Sequence, residues 1–377
     1  MNKKWKYVPF SNIFEWGAKS NIKSGEGLKS GKFNFFVCSD IDIKRYNEYQ
    51  EDRESLIFGT GGKASCHHCQ EPFAYSTDCV VAHTNRADIL LKFVYYFLRQ
   101  NNMLLLQKGF KGSGLQHISK KYIESINIPI IEYLEQKRIV GKIEELFSEL
   151  DNGVETLKKT KQQLTVYRQA VLKETFDSTI ECEMGTIQSI CSNIVDCPHS
   201  TPKWVDNGKI CLRTTNFKRG YLDLTEKNYV SEETFDKRNA RLIPQPGDVL
   251  YSREGAILGI ACMIPKNLFV CLGQRMMLLR TNERMLGHFL MYYLNSPAVT
   301  SFVNTKIGGS ASPHVNVGDI KEFKVPIPSI DIQRDIVKRI DSHLSVCEHI
   351  EKTVDTALQQ AEAMRQSILK KAFEGEL

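Results

Sequence analysis

The chain has 377 residues, 42% of them hydrophobic and 25% charged, with a formal net charge of +6. That length holds two or three domains with real cores, and the composition does not suggest large-scale disorder. The most apolar stretches, Ile89–Leu98 and Ala256–Ile264, fall short of the roughly eighteen residues that a membrane-spanning helix needs.

The N-terminal MNKKWKYVPF lacks the apolar core of a secretory signal, so a cytoplasmic protein with no membrane partner is expected. The mild positive charge is compatible with nucleic acid as a partner, but many enzymes share it.

In chain order, Leu56–Gly59 and Cys79–Thr84 read as short strands and Ile89–Asn101 as a helix. Between the strands lies Cys66, His67, His68, Cys69. A CxxC pair can be half of a zinc site, but no second ligand pair at suitable spacing accompanies it, only Cys38, Cys79 or His83. The cluster therefore reads as a polar loop, and no bound metal is expected. After Pro129 comes a long helix whose apolar residues, Ile139, Ile143, Leu146, Leu150, Val154, Leu157, Leu164 and Val171, step mostly by threes and fours. Beyond it, Lys209–Thr214, Asp248–Ser252, Ala261–Ile264 and Gln274–Arg280 read as strands, and Met285–Asn295 as a helix ended by Ser-Pro. A second long helix is expected after Ser329, with its stripe at Ile336, Ile340, Leu344, Cys347, Ile350, Val354, Leu358, Ala361, Met364 and Ile368. Each would hold about 40 residues and span roughly 60 Å.

The two helices belong to an internal repeat. Ile128–Ser178 aligns without a gap on Val325–Gly375 at an offset of 197, with 15 identities in 51 positions, among them Gln136/Gln333, Arg168/Arg365 and Phe176/Phe373. The same offset pairs Thr84-Asn85 with Thr281-Asn282, Tyr95-Tyr96 with Tyr292-Tyr293, Gly112 with Gly309 and His117 with His314. Upstream the register slips by four residues, and Ile57-Phe58 matches Leu250-Tyr251. The expected fold class is α+β: two homologous globular α/β domains at 1–130 and 181–327, separated by helices at 131–180 and 328–377, with a pseudo-two-fold internal repeat. A helix that long cannot bury its stripe alone, so the two should pack as an antiparallel coiled coil. Separate helices lying on their own domains, or binding partners, are the alternative.

Two related domains at the ends of a rigid spacer measure a distance, and a ligand common to both must be long and periodic. Duplex DNA fits, and diverged domains should read unlike half-sites. A self-contained DNA-modifying enzyme or metal-dependent nuclease is the competing idea. Its motifs are missing: no two prolines are adjacent, which excludes the [DNS]PP[YFW] motif of amino-methyltransferases, and GTGGKA at Gly59–Ala64 lacks the spacing and the hydroxyl of a phosphate-binding loop. A coiled-coil assembly scaffold is the third reading.

Several ordered motifs carry a family resemblance. DCPHSTPKW at Asp196–Trp204, ICLRTTNF at Ile210–Phe217, PGDVLYSREGAILGIACMIP at Pro246–Pro265 and CLGQRMMLLR at Cys271–Arg280 resemble a target recognition domain of type I restriction-modification specificity subunits. The stretches IPIIEYLEQKRIV and PIPSIDIQRDIV are similar to that family's conserved regions. The first domain matches more loosely, through LIFGTGGKAS and GSGLQHIS. The resemblance implies a chain without chemistry of its own. Its two domains would each read half of a bipartite, asymmetric site in double-stranded DNA. Its helices would set the spacer and dock methyltransferase subunits. A motor-nuclease subunit would complete the complex, and S-adenosylmethionine, ATP and Mg would belong to these partners, with no cofactor bound by this chain.

Base reading needs forked or planar donors and acceptors, while phosphates need cations and backbone amides. In the second domain Arg213, Asn216, Ser252 and Arg253 are the leading candidates; Arg253 could fork to a guanine or pair with Glu254. His199, Ser200, Thr201 and Lys203 form a polar loop suited to phosphate, though Pro198 and Pro202 also fit a purely structural turn. Gln274-Arg275 could be buried support or readout. Glycine turns recur at Lys111-Gly-Ser-Gly and Gly308-Gly-Ser, where Ser113 and Ser310 join Lys108, Lys111 and Lys306 as candidates. His117 and His314 would hold these turns. Thr60, Lys63 and His67 complete the first domain's set. The two Tyr-Tyr pairs read as helix core.

Overall fold

The computed structural model describes residues 5–177, 182–306 and 313–377, which form two compact units. The first comprises the chain up to Lys158 together with Asp355–Leu377; the second is Lys159–Val354. The two long helices, Tyr133–Asp177 and Ile330–Glu374, run 45 residues each, and each contributes one part to either unit. Among the described residues no helix is long and apolar enough to cross a membrane.

The repeat in the sequence is a repeat in topology. In the first unit Lys6–Pro9 pairs antiparallel with Asn127–Ile130. A four-stranded antiparallel sheet runs in the order Glu15–Trp16, Cys79–His83, Ser55–Gly59, Cys66–Cys69. A smaller sheet, Ile43–Tyr46, Phe33–Phe36, Phe73–Tyr75, ends in a parallel pair. The second unit repeats each part. Glu183–Thr186 pairs with Lys324–Ile327. The antiparallel sheet has the order Cys191–Asp196, Met276–Thr281, Val249–Ser252, Ala261–Met263. A mixed sheet of Trp204–Val205, Tyr229–Val230, Lys209–Leu212 and Val270–Leu272 again ends in a parallel pair. The fold is α+β.

Inside each unit the long helices run antiparallel. In the first, Arg138 Nη2 donates to the Leu377 carbonyl at 2.9 Å, while Arg365 lies 4.8 Å over the Phe147 ring and pairs with Asp151. In the second, Arg168 meets Glu351 at 2.7 Å and Tyr167 Oη meets His343 Nδ1 at 3.0 Å. The helix ends are anchored by burial. Phe373 is 2% exposed and packs against Phe93, Phe97 and Trp5, with ring centroids 5.2–6.3 Å apart. Burying such a side chain stabilises by about 1.5–3 kcal/mol. Phe176, its repeat partner, packs edge-on against Phe289 in the second unit.

The identity Gln136/Gln333 has a physical reason. Each glutamine is buried in the first turn of its helix. Gln136 donates to the Asp88 and Ile131 carbonyls and accepts from the Leu90 amide; Gln333 donates to the Arg284 and Pro328 carbonyls and accepts from the Leu286 amide. The same clamp ties each helix start to its globular region.

One expectation is corrected. Cys66–Cys69 is a strand, not a polar loop: it pairs with Ser55–Gly59, and Cys66 and Cys69 are buried. As expected, the helix Gly287–Leu294 ends with Asn295 as its C-cap before Ser296-Pro297; Pro297 then opens a separate helix, Pro297–Lys306, at a first-turn position where a missing amide hydrogen costs nothing. The helix expected at Ile89–Asn101 begins at Leu91 and breaks at Gln100–Met103, where Asn101, Asn102 and Met103 are at positive φ; a second helical stretch follows to Gln107. Both Tyr-Tyr pairs lie on helices that pack against the cores, as expected.

Candidate nucleic-acid interface

In the second unit the end of the strand Cys191–Asp196 leads into the polar loop 197–203, and the strand Val249–Ser252 leads into a turn at 253–255. Backbone bonds stitch that turn on both sides. The Arg253 amide donates to the Arg275 carbonyl (3.1 Å), the Gly255 amide to the Pro313 carbonyl (2.8 Å), and the Val315 amide to the Arg253 carbonyl (3.0 Å). The first unit makes the same three bonds. The Thr60 amide donates to the Asp78 carbonyl (2.8 Å), the Gly62 amide to the Gln116 carbonyl (2.8 Å), and the Ile118 amide to the Thr60 carbonyl (3.0 Å). One backbone frame therefore serves both units, carrying Arg253 and Arg275 in one, Thr60 and Asp78 in the other.

The frame sorts the candidates. Arg253 is 7% exposed, and its guanidinium holds Asp196 with two bonds, Nε–Oδ1 at 2.8 Å and Nη2–Oδ2 at 3.0 Å. The expected pairing with Glu254 is present only as a long contact of 4.0 Å, secondary to the grip on Asp196. The acid keeps the arginine charged, raising its pKa against the opposing effect of burial, which is the larger single influence. Asp196 also meets His199 Nε2 at 3.1 Å, so one carboxylate organises both the turn and the loop.

Asn216 and Ser252 are corrected as readers. Asn216 is buried; it accepts from the Arg213 amide (2.9 Å) and donates to the Asp223 and Glu226 carbonyls. Ser252 is fully buried, with its hydroxyl donating to the Ile260 carbonyl and accepting from the Ile260 amide. Both residues shape the loops and present nothing outward. Arg213 is exposed, with its guanidinium 5.8 Å over the ring of Trp204, itself 40% exposed.

The loop 197–203 is firmly held yet open. Buried Arg238 donates twice to the Ser200 carbonyl, and Gln274 donates to the His199 carbonyl while lying 3.4 Å from the Thr201 hydroxyl. The side chains of His199, Ser200, Thr201 and Lys203 face solvent. Ser310 and the side chain of Lys306 lie outside the described residues. His314 joins Glu254 through a backbone bridge.

In the first unit the Gly112–Gln116 turn is closed by reciprocal backbone bonds between Lys111 and His117, 3.0 Å each. Its tip presents Ser113 and Leu115, with exposed Lys108 and Lys111 on the same segment and Lys63 on the adjoining turn. Thr60 is partly committed, its hydroxyl donating to the Asp78 carbonyl at 2.8 Å. His67 is corrected: it is 8% exposed, points Nε2 at the Ser39 carbonyl (2.7 Å), packs on Phe36, and burial lowers its pKa. Burial pushes the Cys66 thiol up to about 12 and raises that of Cys69. Among the described residues no group of three or more His, Cys, Asp or Glu could hold a metal ion.

One participant escaped sequence reasoning: Asp196, because its partner is 57 residues away; the sequence leaves Arg275 open between support and readout. Arg275 is 54% exposed and adopts φ of 67°, a left-handed backbone rare outside glycine.

The family model for the type I restriction modification DNA specificity domain matches residues 2–166 and again 196–360. Among curated proteins the chain is similar to the EcoBI specificity subunit of a type I restriction enzyme from Escherichia coli, 25% identical over 95% of this chain and 84% of that protein. It is also similar to the EcoDI specificity subunit from Escherichia coli, 23% identical over 99% and 88%. Among solved structures, a chain of a type I R-M system overlays with a TM-score of 0.71 at 18% identity, covering 100% and 99% of the two chains. The HsdS subunit from Thermoanaerobacter tengcongensis overlays with a TM-score of 0.52 at 19% identity, covering 100% and 98%. These overlays concern the fold.

Proposed function

Because the chain belongs to the type I restriction-modification DNA specificity family, we propose that it selects the DNA sequence on which a type I restriction-modification complex acts, each globular region reading one half of a bipartite, asymmetric site. The observation that carries this reading is the shared backbone frame with unlike side chains. Thr60 and Asp78 in one unit and Arg253 and Arg275 in the other occupy matching places. A repeated scaffold with exchanged polar groups is what reading two different sequences with one fold requires.

The open loops are the DNA-facing surfaces. Lys63, Lys108 and Lys111 in the first unit, with His199, Lys203 and Arg213 in the second, supply cations and donors for phosphates. The long helices fix the separation of the half-sites and dock methyltransferase subunits, while a motor-nuclease subunit completes the restricting complex. The chain itself performs no chemistry. S-adenosylmethionine, ATP and Mg serve the partner subunits. Support for this division is the absence of the [DNS]PP[YFW] and phosphate-loop motifs from the sequence. Methylome sequencing of cells carrying this chain with its cognate methyltransferase subunits tests the reading. A modified motif with two unlike halves around a fixed unread spacer is expected; a continuous motif, or none, contradicts it.

A further inference from the structure

Arg275 stands apart from every other arginine near the interface of the second unit. Its backbone is left-handed at φ 67°, where a side chain other than glycine's is strained. The place is nonetheless enforced. The Arg275 carbonyl accepts from the Arg253 amide at 3.1 Å, and its guanidinium reaches Glu254 at 3.7 Å. Gly255, itself at φ 89°, leaves room beside that guanidinium, since a Cβ there would come within 3.2 Å of Nη1. Unlike Arg253 and Arg238, which are bound to Asp196 and to carbonyls, Arg275 keeps its fork largely in solvent, with one long contact to an acid that can let it go.

The equivalent place in the first unit belongs to Asp78, whose carbonyl accepts from Thr60 in the same way. Asp78 is exposed, and one carboxylate oxygen accepts from Ser24 at 3.1 Å. A position serving phosphate would not carry a carboxylate in one unit and a guanidinium in the other. Opposite charges do suit base edges. A forked arginine donates to guanine O6 and N7, and an aspartate accepts from cytosine N4.

We propose that Arg275 reads a guanine edge in the half-site of the second unit, leaving Glu254 when DNA arrives. This rests on the reading of the chain as a bipartite specificity subunit. The test uses the full chain assembled with its methyltransferase subunits, compares wild type with Arg275→Gly and Arg275→Lys, and measures binding to a panel of single-base changes across both half-sites. Arg275→Gly removes the fork and relieves the backbone, so its melting temperature should equal or exceed that of wild type. It should lose discrimination at one base pair of one half-site by about 10-fold or more, with the other half-site read as before. Arg275→Lys keeps the charge without the fork and should lose most of that discrimination too. Unchanged preference in both variants overturns the assignment. So does an even loss of affinity across all sequences with a shallower salt dependence, which marks a phosphate contact. A wild-type complex with no bipartite preference would instead overturn the broader reading, and the assignment with it.

Discussion

Arg253 grips Asp196 more closely than its neighbour Glu254, through two bonds of 2.8 and 3.0 Å across 57 residues of sequence. The pair joins the turn 253–255 to the loop that begins at Asp196, and it is the internal strut of the second unit's candidate interface. With side-chain exposures of 8% and 19%, it lies between the fully buried and the surface case. Asp196→Ala leaves a guanidinium in a largely desolvated place and should cost on the order of 2–3 kcal/mol. Urea unfolding measures this; a shift below about 0.5 kcal/mol, the scale of an exposed pair, would contradict it. Arg253→Ala should loosen the same loop and weaken recognition of one half-site while the chain stays folded.

Gln136 and Gln333 should prove equivalent. Replacing either with leucine strands two carbonyls and one amide at a helix start, at about 1–3 kcal/mol for each buried group left unsatisfied. Hydrogen exchange should show the loss in the unit that holds the changed residue. A neutral effect at either site would contradict the clamp.

His67 gives the first unit a pH dependence with a definite sign. Burial holds its folded pKa below the ordinary value of 6.5. Above 6.5 both states are neutral and pH has no effect through this group. As pH falls below 6.5 the unfolded chain takes up the proton first, so stability falls until the lower folded pKa is reached. His67→Gln keeps a donor for the Ser39 carbonyl and removes the titration. Thermal unfolding of this variant between pH 7.5 and 5.5 should show a shallower loss, by up to about 1.4 kcal/mol per pH unit. An identical loss in both proteins would rule out this histidine as a source.

Much of this was legible in the sequence. The gapless repeat is carried by residues whose surroundings are duplicated, such as Gln136/Gln333 and Phe176/Phe373, and the apolar stripes report the long helices directly. The direction in which a polar side chain points was not legible. Asn216 in the turn Thr214–Asn216 and Ser252 at the end of its strand look available, yet their partners at Asp223, Glu226 and Ile260 turn them inward. His67 and the cysteines beside it looked polar and became a buried strand because Ser55–Gly59 offers them an edge. The left-handed backbone of Arg275 had no glycine to announce it.

The exposed lysines of the first unit should act on affinity more than on sequence choice. Lys63→Ala and Lys111→Ala in the assembled complex should each weaken binding evenly across DNA sequences and reduce the slope of log affinity against log salt by about 1. An unchanged slope would remove the residue concerned from the DNA-facing surface.

Hydroxyl-radical footprinting of the chain assembled with its methyltransferase subunits on the modified DNA site tests the central claim most directly. Two separate protected patches flanking a gap that tolerates any base are predicted, and Arg275→Gly should disturb only one of them. A single continuous patch, or equal dependence on the intervening bases, would contradict it.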